Sequence, residues 1–257
     1  MNGSKDLKTI IYFKGVYDTL DLFTDHLIEA FESMGYGTFV YHTANEEVCK
    51  KMLLRLLDES QEFAVVTFNN LGYNLSFEQS EAAEDEEKKP EEHNIWNYFH
   101  IPYIDILMDH PFHYEKPLCN MPETAVILCT DRNHVKYIRR FFKNIHQTDF
   151  LPHAGVELGH KHKPLNDRNI DVLYAGALPI YTVAKMIPDL HSIPEVDGEH
   201  MMQSVLGKLV QHPEQTTEQA IEAYVKTMRG DISDGRLQEI IVKMRFLDSY
   251  ATSFFRE

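Results

Sequence analysis

The residues best suited to chemistry stand directly after an apolar run, in the segment Asp109–Tyr114, which follows Pro102–Met108. A carboxylate and an imidazole at the end of a buried strand can supply a general base, and here these are Asp109 and His110. Three interpretations stay open from spacing alone: the two residues contact a substrate, they hold their own loop by hydrogen bonds to the backbone, or they bind a metal with other histidines. The other histidines are His113, His153, His160 and His162.

Small polar clusters also follow the other apolar runs of the chain. Because the carboxyl ends of parallel strands meet at one edge of a sheet, where open α/β sheets bind ligands, we predict that these clusters line one site. The catalytic candidates are Asp109, His110 and His153. The candidates for substrate binding are Gly15, Tyr17, Asn69, Asn70, Asp131, Arg132, His134, Gly155, Glu157 and Gly176.

Several of these candidates also have a purely structural interpretation. Asp131 opens a predicted helix, so it either caps that helix or stands at an anion site formed by the backbone amides there. Gly15 and Gly176 either serve turns after their strands or face a ligand. We expect His153 to face a cleft between domains, and Gly155 to permit close approach of the backbone to a ligand.

The apolar pattern predicts the elements that position these residues. Short apolar runs alternate with segments of helical spacing, and strand, helix, strand, helix, strand is the beginning of a parallel, doubly wound sheet. We therefore predict an α/β fold, a Rossmann-like, doubly wound parallel sheet that is followed by a helical C-terminal segment. The predicted strands are Lys8–Phe13, Thr38–Tyr41, Phe63–Phe68, Tyr103–Met108, Val126–Cys129, Gln147–Leu151 and Asp171–Gly176, and the predicted helices among them are Leu20–Met34, Glu46–Leu57 and Asp131–Phe142.

Two domains are predicted. Residues 1–165 form the Rossmann-like domain, with an acidic insertion at about 76–93 that is either a solvated segment or a recognition segment. Residues 166–257 begin a second domain and continue as helices at roughly 179–187, 199–211, 216–229 and 235–255. The last helix carries an apolar stripe from Leu237 to Phe254 close to the end of the chain. Such a stripe needs a packing partner, so we expect a chain truncated from a longer protein.

Composition narrows the class of protein. The chain has 257 residues and a net charge of −15, with 25 basic and 40 acidic residues, so a nucleic-acid partner is not expected. The three cysteines have no metal or redox spacing, which favours the reducing cytoplasm. The N-terminus lacks the apolar core of a signal peptide, and no run is long enough to predict a transmembrane segment. The nucleotide fingerprints G-x-G-x-x-G and G-x-x-x-x-G-K-[ST] and the hydrolase motif G-x-S-x-G are all missing.

Several of these segments together resemble one family. Ile101–Tyr114, Cys129–Val135, Phe150–Gly155 and Asp171–Gly176 are similar to segments of a bacterial glycosyltransferase-like family. That family carries an N-terminal domain of unknown function and is related to the CgeB-type spore-maturation glycosyltransferases. The resemblance covers most of residues 8–178 and, more loosely, the helical segment that follows.

The resemblance implies a GT-B arrangement, in which two Rossmann-like domains face each other across a cleft. The N-terminal domain then shapes the acceptor side, the C-terminal domain holds the nucleotide-sugar donor, and no metal or other cofactor is required. On this basis we expect Asp109 and His110 to form a base-and-orienter pair near the acceptor hydroxyl, with His153 across the cleft. The donor-binding strands and acidic motif of the family have no visible counterpart after Asp171. It therefore stays open whether this chain transfers sugar by itself or needs a further C-terminal domain that supplies the donor site.

Two other functions fit the same residues. The first is a non-catalytic module of the same fold that binds a sugar, a nucleotide or a protein. The second is a metal-dependent hydrolase built on the histidines.

Overall fold

The computed structural model describes residues 8–58, 62–79, 91–155, 163–170, 193–194 and 196–248. The chain divides into two compact units, Met1–His153 and Ala154–Glu257. The domain boundary that we placed at residue 165 stays a prediction. Five predicted features lie outside the described residues: the strand at 171–176 with Gly176, the helix at 179–187, His160, His162 and Glu157.

The first unit contains the predicted parallel sheet. Its strands and those of a small hairpin are, in chain order, β1 (Lys8–Lys14), β2 (Gly37–His42), β3 (Glu62–Phe68), β4 (Ser76–Gln79), β5 (Glu91–Asn94), β6 (Tyr103–Leu107), β7 (Ala125–Cys129) and β8 (Gln147–Phe150). Within the described residues, six of them form one sheet in the order β2-β1-β3-β6-β7-β8, and every pair in it is parallel. The strand order reverses between β1 and β3, which is the topological switch point of an open sheet. The prediction of a Rossmann-like, doubly wound fold followed by helices is confirmed.

Helices connect these strands. They are α1 (Asp18–Ser33), α2 (Glu46–Leu57), α3 (Ile95–Tyr98), α4 (Glu115–Cys119) and α5 (Arg132–Phe141). Side chains alternate between the two faces of a strand, so Ile10 and Tyr12 of β1 point to one face and Phe13 to the other. The first face packs against α1 in a cluster that also holds Phe68. On the second face, the ring of Phe13 meets Trp96 edge-on.

The two ends of the acidic insertion at about 76–93 are strands that the sequence did not predict. β4 and β5 pair as an antiparallel hairpin, with Phe77 opposite His93. The ring of Phe77 also packs edge-on against Tyr98 at 5.0 Å between centroids and lies 6.0 Å from Phe99. These aromatic contacts fix the base of the hairpin, because aromatic pairs across strands stabilise a two-stranded sheet. The sequence did not predict these strands because the many glutamates of the insertion are typical of a solvated segment.

The second unit consists, in its described residues, mainly of the helices α6 (Gly198–Gln211), α7 (Thr217–Met228) and α8 (Asp234–Met244). They match the predicted helices at 199–211 and 216–229, and α8 covers the first part of the helix predicted at 235–255, of which the structure describes residues up to 248. Leu237, Ile240 and Leu247 are buried, and α8 packs on α7. The part of the apolar stripe that lies in the described residues, up to Leu247, is therefore covered. No helix in the described parts of the chain has the length and apolar character needed to cross a membrane.

Candidate functional site

The candidate site lies where β1, β3 and β6 end, beside the switch point of the sheet. Asn69 and Asn70 follow β3 directly, and both have left-handed backbone angles, with φ of 48° and 65°. Asparagine tolerates this conformation better than most residues, so the pair forms a tight turn. The turn folds toward the end of β6, because the backbone N–H of Asn69 donates to the carbonyl oxygen of Ile106.

Three side chains meet at this turn, and we call them the Asp109 cluster: Asn69, Asp109 and Tyr114. The Nδ2 of Asn69 donates to Oδ2 of Asp109 at 3.0 Å, and the Tyr114 hydroxyl donates to the same oxygen at 2.7 Å. Oδ1 of Asn69 accepts from the backbone N–H of Met108 at 2.9 Å. Asn69 therefore ties the end of β3 to the end of β6. The predicted proximity of Asn69 and Asp109 is observed.

Local sequence explains how Tyr114 reaches Asp109. Nδ1 of His110 accepts from the backbone N–H of Phe112 at 3.2 Å and so caps a short 3-10 helix, Pro111–Tyr114. Proline suits the first position of such a turn because its φ is already fixed near the helical value. The turn carries the chain back, so that a residue five positions after Asp109 contacts its carboxylate. Tyr114 was not among the predicted site residues.

The electrostatics of the Asp109 cluster leave one carboxylate oxygen for a ligand. Asp109 is exposed, and both donors that hold it are neutral. Burial, and then the hydrogen bond to Asp109, raise the pKa of Tyr114 above its ordinary value, so the phenol stays protonated and donates. Both hydrogen bonds end on Oδ2, so Oδ1 is the oxygen that an incoming hydroxyl would meet. A carboxylate held in this way can accept a hydrogen bond or a proton.

A second carboxylate, Asp105, lies beneath the cluster, inside β6. Its exposed fraction is 0%. Oδ1 accepts from the backbone N–H of Asn70 at 2.9 Å. Burial raises the pKa of Asp105 to about 7, against a smaller lowering by the bond from Asn70. Sequence reasoning missed this residue because it stands within an apolar run, although a charged residue in a buried strand was itself a usable signal.

His110 and His134 come together as well, but in an aromatic cluster. The ring of His110 stacks on Phe112 at 3.7 Å between centroids, and it lies 4.6 Å from His134 and 5.0 Å from Tyr137. Nε2 of His110 is buried. The observed hydrogen bonds connect Asp109 with Asn69 and Tyr114, and Nδ1 of His110 with its own turn. The structural interpretation of His110 is thus observed, and the base-and-orienter pair stays a prediction.

Gly15 is exposed, but the side chains of His42 and Thr43 lie close to it. Its φ is +94°, and its backbone N–H donates to both carboxylate oxygens of Asp21, at 3.0 and 3.1 Å. Its carbonyl oxygen accepts from the hydroxyl of Thr43 at 2.9 Å. The backbone N–H of Gly15, which a phosphate would need as a donor, is therefore already bonded to a carboxylate. Tyr17, two residues on, is 61% exposed and is close enough to Tyr114 to influence its pKa.

The predicted residues after β7 serve the next helix. The side chain of Asp131 accepts from the backbone N–H of Asn133 at 2.6 Å and caps α5, which is one of the two interpretations that its position allowed. The guanidinium of Arg132 lies over the ring of Phe150, 4.2 Å from its centroid. An amide that would attract an anion at this terminus is therefore bonded to a carboxylate.

The remaining predictions concern the chain after β8. His153 and Gly155 are both exposed, and they fall in different units of the chain. Their predicted roles are not tested by the geometry. Within the residues that the structure describes, no three or more His, Cys, Asp or Glu side chains are grouped so that they could hold a metal ion.

No protein-family model, curated protein or solved structure matches this chain.

Proposed function

We propose that the first unit binds a neutral, hydroxyl-rich ligand at the Asp109 cluster, as the acceptor-side portion of a GT-B-like glycosyltransferase. Such an enzyme transfers a sugar from a nucleotide-sugar to an acceptor hydroxyl. The observation that carries the proposal is the Asp109 carboxylate, which is exposed at the ligand-binding edge of the sheet and held there by neutral donors. The resemblance of Ile101–Tyr114 to a glycosyltransferase-like family supports the same function.

Carboxylates occupy the positions at which a parallel sheet of this kind would bind phosphate, which favours binding of the acceptor over binding of the donor in this unit. A diphosphate normally occupies the backbone amides after the first strand and at a helix N-terminus. Here the amide of Gly15 is bonded to Asp21, the first turn of α1 also contains Asp18, and the first turn of α5 is capped by Asp131. These carboxylates repel a diphosphate. A nucleotide-sugar donor would then be held outside this unit.

The proposed chemistry assigns one role to each member of the Asp109 cluster. Oδ1 of Asp109 accepts the proton of the acceptor hydroxyl while the acceptor oxygen forms its bond to the anomeric carbon of the donor sugar. The bond between the anomeric carbon and the diphosphate oxygen breaks, and the nucleoside diphosphate leaves with the bonding electrons. Asn69 and Tyr114 keep the carboxylate in position.

The three cysteines are all free thiols, which supports a cytoplasmic setting.

A non-catalytic binding module of the same fold is the second candidate. Burial of Nε2 of His110 favours it, because this nitrogen is shielded from a ligand at the surface, where the expected base-and-orienter pair would need it. A module of this kind would use the Asp109 cluster only to recognise hydroxyl groups.

A thermal-shift screen tests the proposal, since a ligand that binds only the folded state raises its melting temperature. The probes are neutral mono- and disaccharides, uridine and guanosine diphosphates, and their sugar conjugates. We expect at least one saccharide, and no nucleoside diphosphate, to stabilise the chain, and Asp109→Asn to remove that effect. Asp149→Asn is the matched control, because Asp149 is an exposed carboxylate on β8. Stabilisation by a diphosphate alone, or the same saccharide effect in Asp109→Asn, would overturn the proposal.

For a saccharide that binds, release of nucleoside diphosphate from a nucleotide-sugar then separates the two candidates. Release that depends on the saccharide and on Asp109 supports the transferase. Binding by the wild type with no such release, in the presence of the donor-binding domain, supports the binding module.

A further inference from the structure

The buried Asp105 is joined to the Asp109 cluster through a single turn of backbone. Oδ1 of Asp105 holds the backbone N–H of Asn70, and Asn70 is bonded covalently to Asn69. Asn69 in turn holds both the backbone N–H of Met108 and the carboxylate of Asp109. The amide that Asp105 holds is therefore one residue away from the side chain that orients Asp109.

This buried layer is not fully hydrogen-bonded. Asp105 is 0% exposed and Asn70 is 4% exposed. Among the described residues, Oδ2 of Asp105 and both polar side-chain atoms of Asn70 have no hydrogen-bond partner. A buried polar group without a partner destabilises the folded state, so the unpaired atoms of this layer need an explanation beyond packing. An ionised Asp105 would make the same layer costlier still, because a buried charge needs partners more than a neutral group does.

The other ionisable groups that face Asp105 keep their protons through the neutral range. Tyr103 lies on the same strand, Cys129 on β7 and Tyr114 in the turn after β6, and each of them senses the charge of Asp105. Burial raises the pKa of all three, that of Cys129 to about 12. Asp109 lies beyond Tyr114, whose hydroxyl donates to it. Asp105 is thus the member of this buried layer whose charge can change near neutral pH.

We propose that Asp105 is a positioning residue for Asp109: the charge of Asp105 sets the geometry of the Asn69–Asn70 turn and, through it, the orientation of the Asp109 carboxylate. A charged acceptor forms a shorter and stronger hydrogen bond than a neutral one. Loss of the proton from Asp105 therefore pulls the amide of Asn70 inward and shifts Asn69 with it. The inference concerns the same site as the proposed function, but its test needs no ligand.

The test is an NMR titration of the whole chain between pH 5 and 9. The carboxyl carbon of Asp105 reports its charge, the backbone N–H of Asn70 reports the shared hydrogen bond, and the side-chain amide of Asn69 reports the cluster. We expect all three to titrate with one midpoint, the amide proton of Asn70 moving downfield as the pH rises. If the amides of Asn69 and Asn70 stay constant while the carbon of Asp105 titrates, the proposal is wrong.

Variants separate this coupling from other titrations nearby. Asp105→Asn should abolish the response of Asn69, whereas Asp149→Asn should retain it, and Asp109→Asn should retain the response of Asn70. A response of Asn69 that survives in Asp105→Asn would overturn the proposal. If Asp105→Asn does not fold, the comparison of midpoints in the wild type still decides the question. Saccharide binding without this coupling would refute the positioning role alone, and the coupling without saccharide binding would refute the proposed function alone.

Discussion

Gly15 and Gly35 have nearly the same backbone angle but very different surroundings. Their φ values are +94° and +90°. A Cβ on Gly35 would meet nothing within 4 Å, whereas a Cβ on Gly15 would lie 2.5 Å from Cε1 of His42. The conformation alone costs an alanine about 1 kcal/mol at either position. The crowding at Gly15 adds to that cost and would displace His42 from the turn beside the site.

We therefore expect Gly35→Ala to lower the free energy of unfolding by about 1 kcal/mol and Gly15→Ala to lower it by clearly more. Urea denaturation followed by circular dichroism measures both. Equal losses in the two variants would show that the contacts around Gly15 can relax freely.

Tyr114 gives a second prediction for a single residue. Tyr114→Phe removes the donor to Oδ2 of Asp109 and keeps the ring. A hydrogen bond to a charged group at an exposed site is worth about 1 kcal/mol, so affinity for a bound saccharide should fall roughly fivefold. Isothermal titration calorimetry measures it. Tyr98→Phe is the control, since Tyr98 is exposed and its ring packs against Phe77 of β4. An unchanged affinity in Tyr114→Phe would remove this bond from the mechanism.

The sequence could predict the residues of the site that directly follow strands, but not the residues whose position depends on the geometry of a turn. Asn69 and Asp109 were placed at one edge because parallel strands end together. Tyr114 reaches that edge only through the 3-10 helix that His110 caps, and a turn of this kind is not visible in hydrophobic spacing. Asp105 was missed because periodicity marks a strand as buried without assigning a role to a charge inside it.

At the scale of the elements, the N-terminus of α5 is held by a side-chain cap. Its only acidic neighbour at the N-terminus is Asp131, whose side chain bonds the amide of Asn133, and the helix carries Arg132, Lys136 and Arg139 along its exposed side. Asp131→Ala removes both the cap and the favourable charge at the positive end of the helix dipole. We expect a loss of about 1 kcal/mol in the free energy of unfolding.

Thermal and urea denaturation measure that loss, with Asp149→Ala as the control for removing one acidic residue. A variant with wild-type stability would show that α5 does not rely on Asp131, and would reopen the interpretation of Asp131 as a ligand-binding residue.

The elements themselves were predictable wherever periodicity was strong. The strands of the sheet and the long helices α1, α2 and α5 follow from apolar spacing, whereas the hairpin β4–β5 depends on contacts of Phe77 with rings distant in sequence. The stripe on α8 was recognised as apolar, but its partner was not, because spacing shows that a face is buried and not what covers it.

At the scale of the whole molecule, Asp105 makes stability depend on pH. Its pKa is about 7 in the folded chain against 3.8 ordinarily. Between these values the folded state holds a proton that the unfolded state releases, so the free energy of unfolding falls as the pH rises. The contribution of Asp105 is fully present below about pH 4, is lost progressively up to about pH 7, and amounts to roughly 4 kcal/mol at most.

Denaturation of the wild type and of Asp105→Asn from pH 4 to 8 tests this contribution. Because asparagine does not titrate, the difference in unfolding free energy between the two proteins should change in favour of the variant as the pH rises. Parallel curves for the two proteins would show that Asp105 has an ordinary pKa in the folded chain.

The central claim is that the Asp109 cluster is the place where a hydroxyl-rich ligand binds. The most direct measurement is an NMR titration of the wild-type chain with the saccharide that gives the largest thermal shift, following the side-chain amide of Asn69. We predict a saturable shift of that resonance, absent in Asp109→Asn and present in Asp149→Asn. A saccharide that saturates the protein while the amide of Asn69 stays unchanged would place the ligand elsewhere and contradict the account.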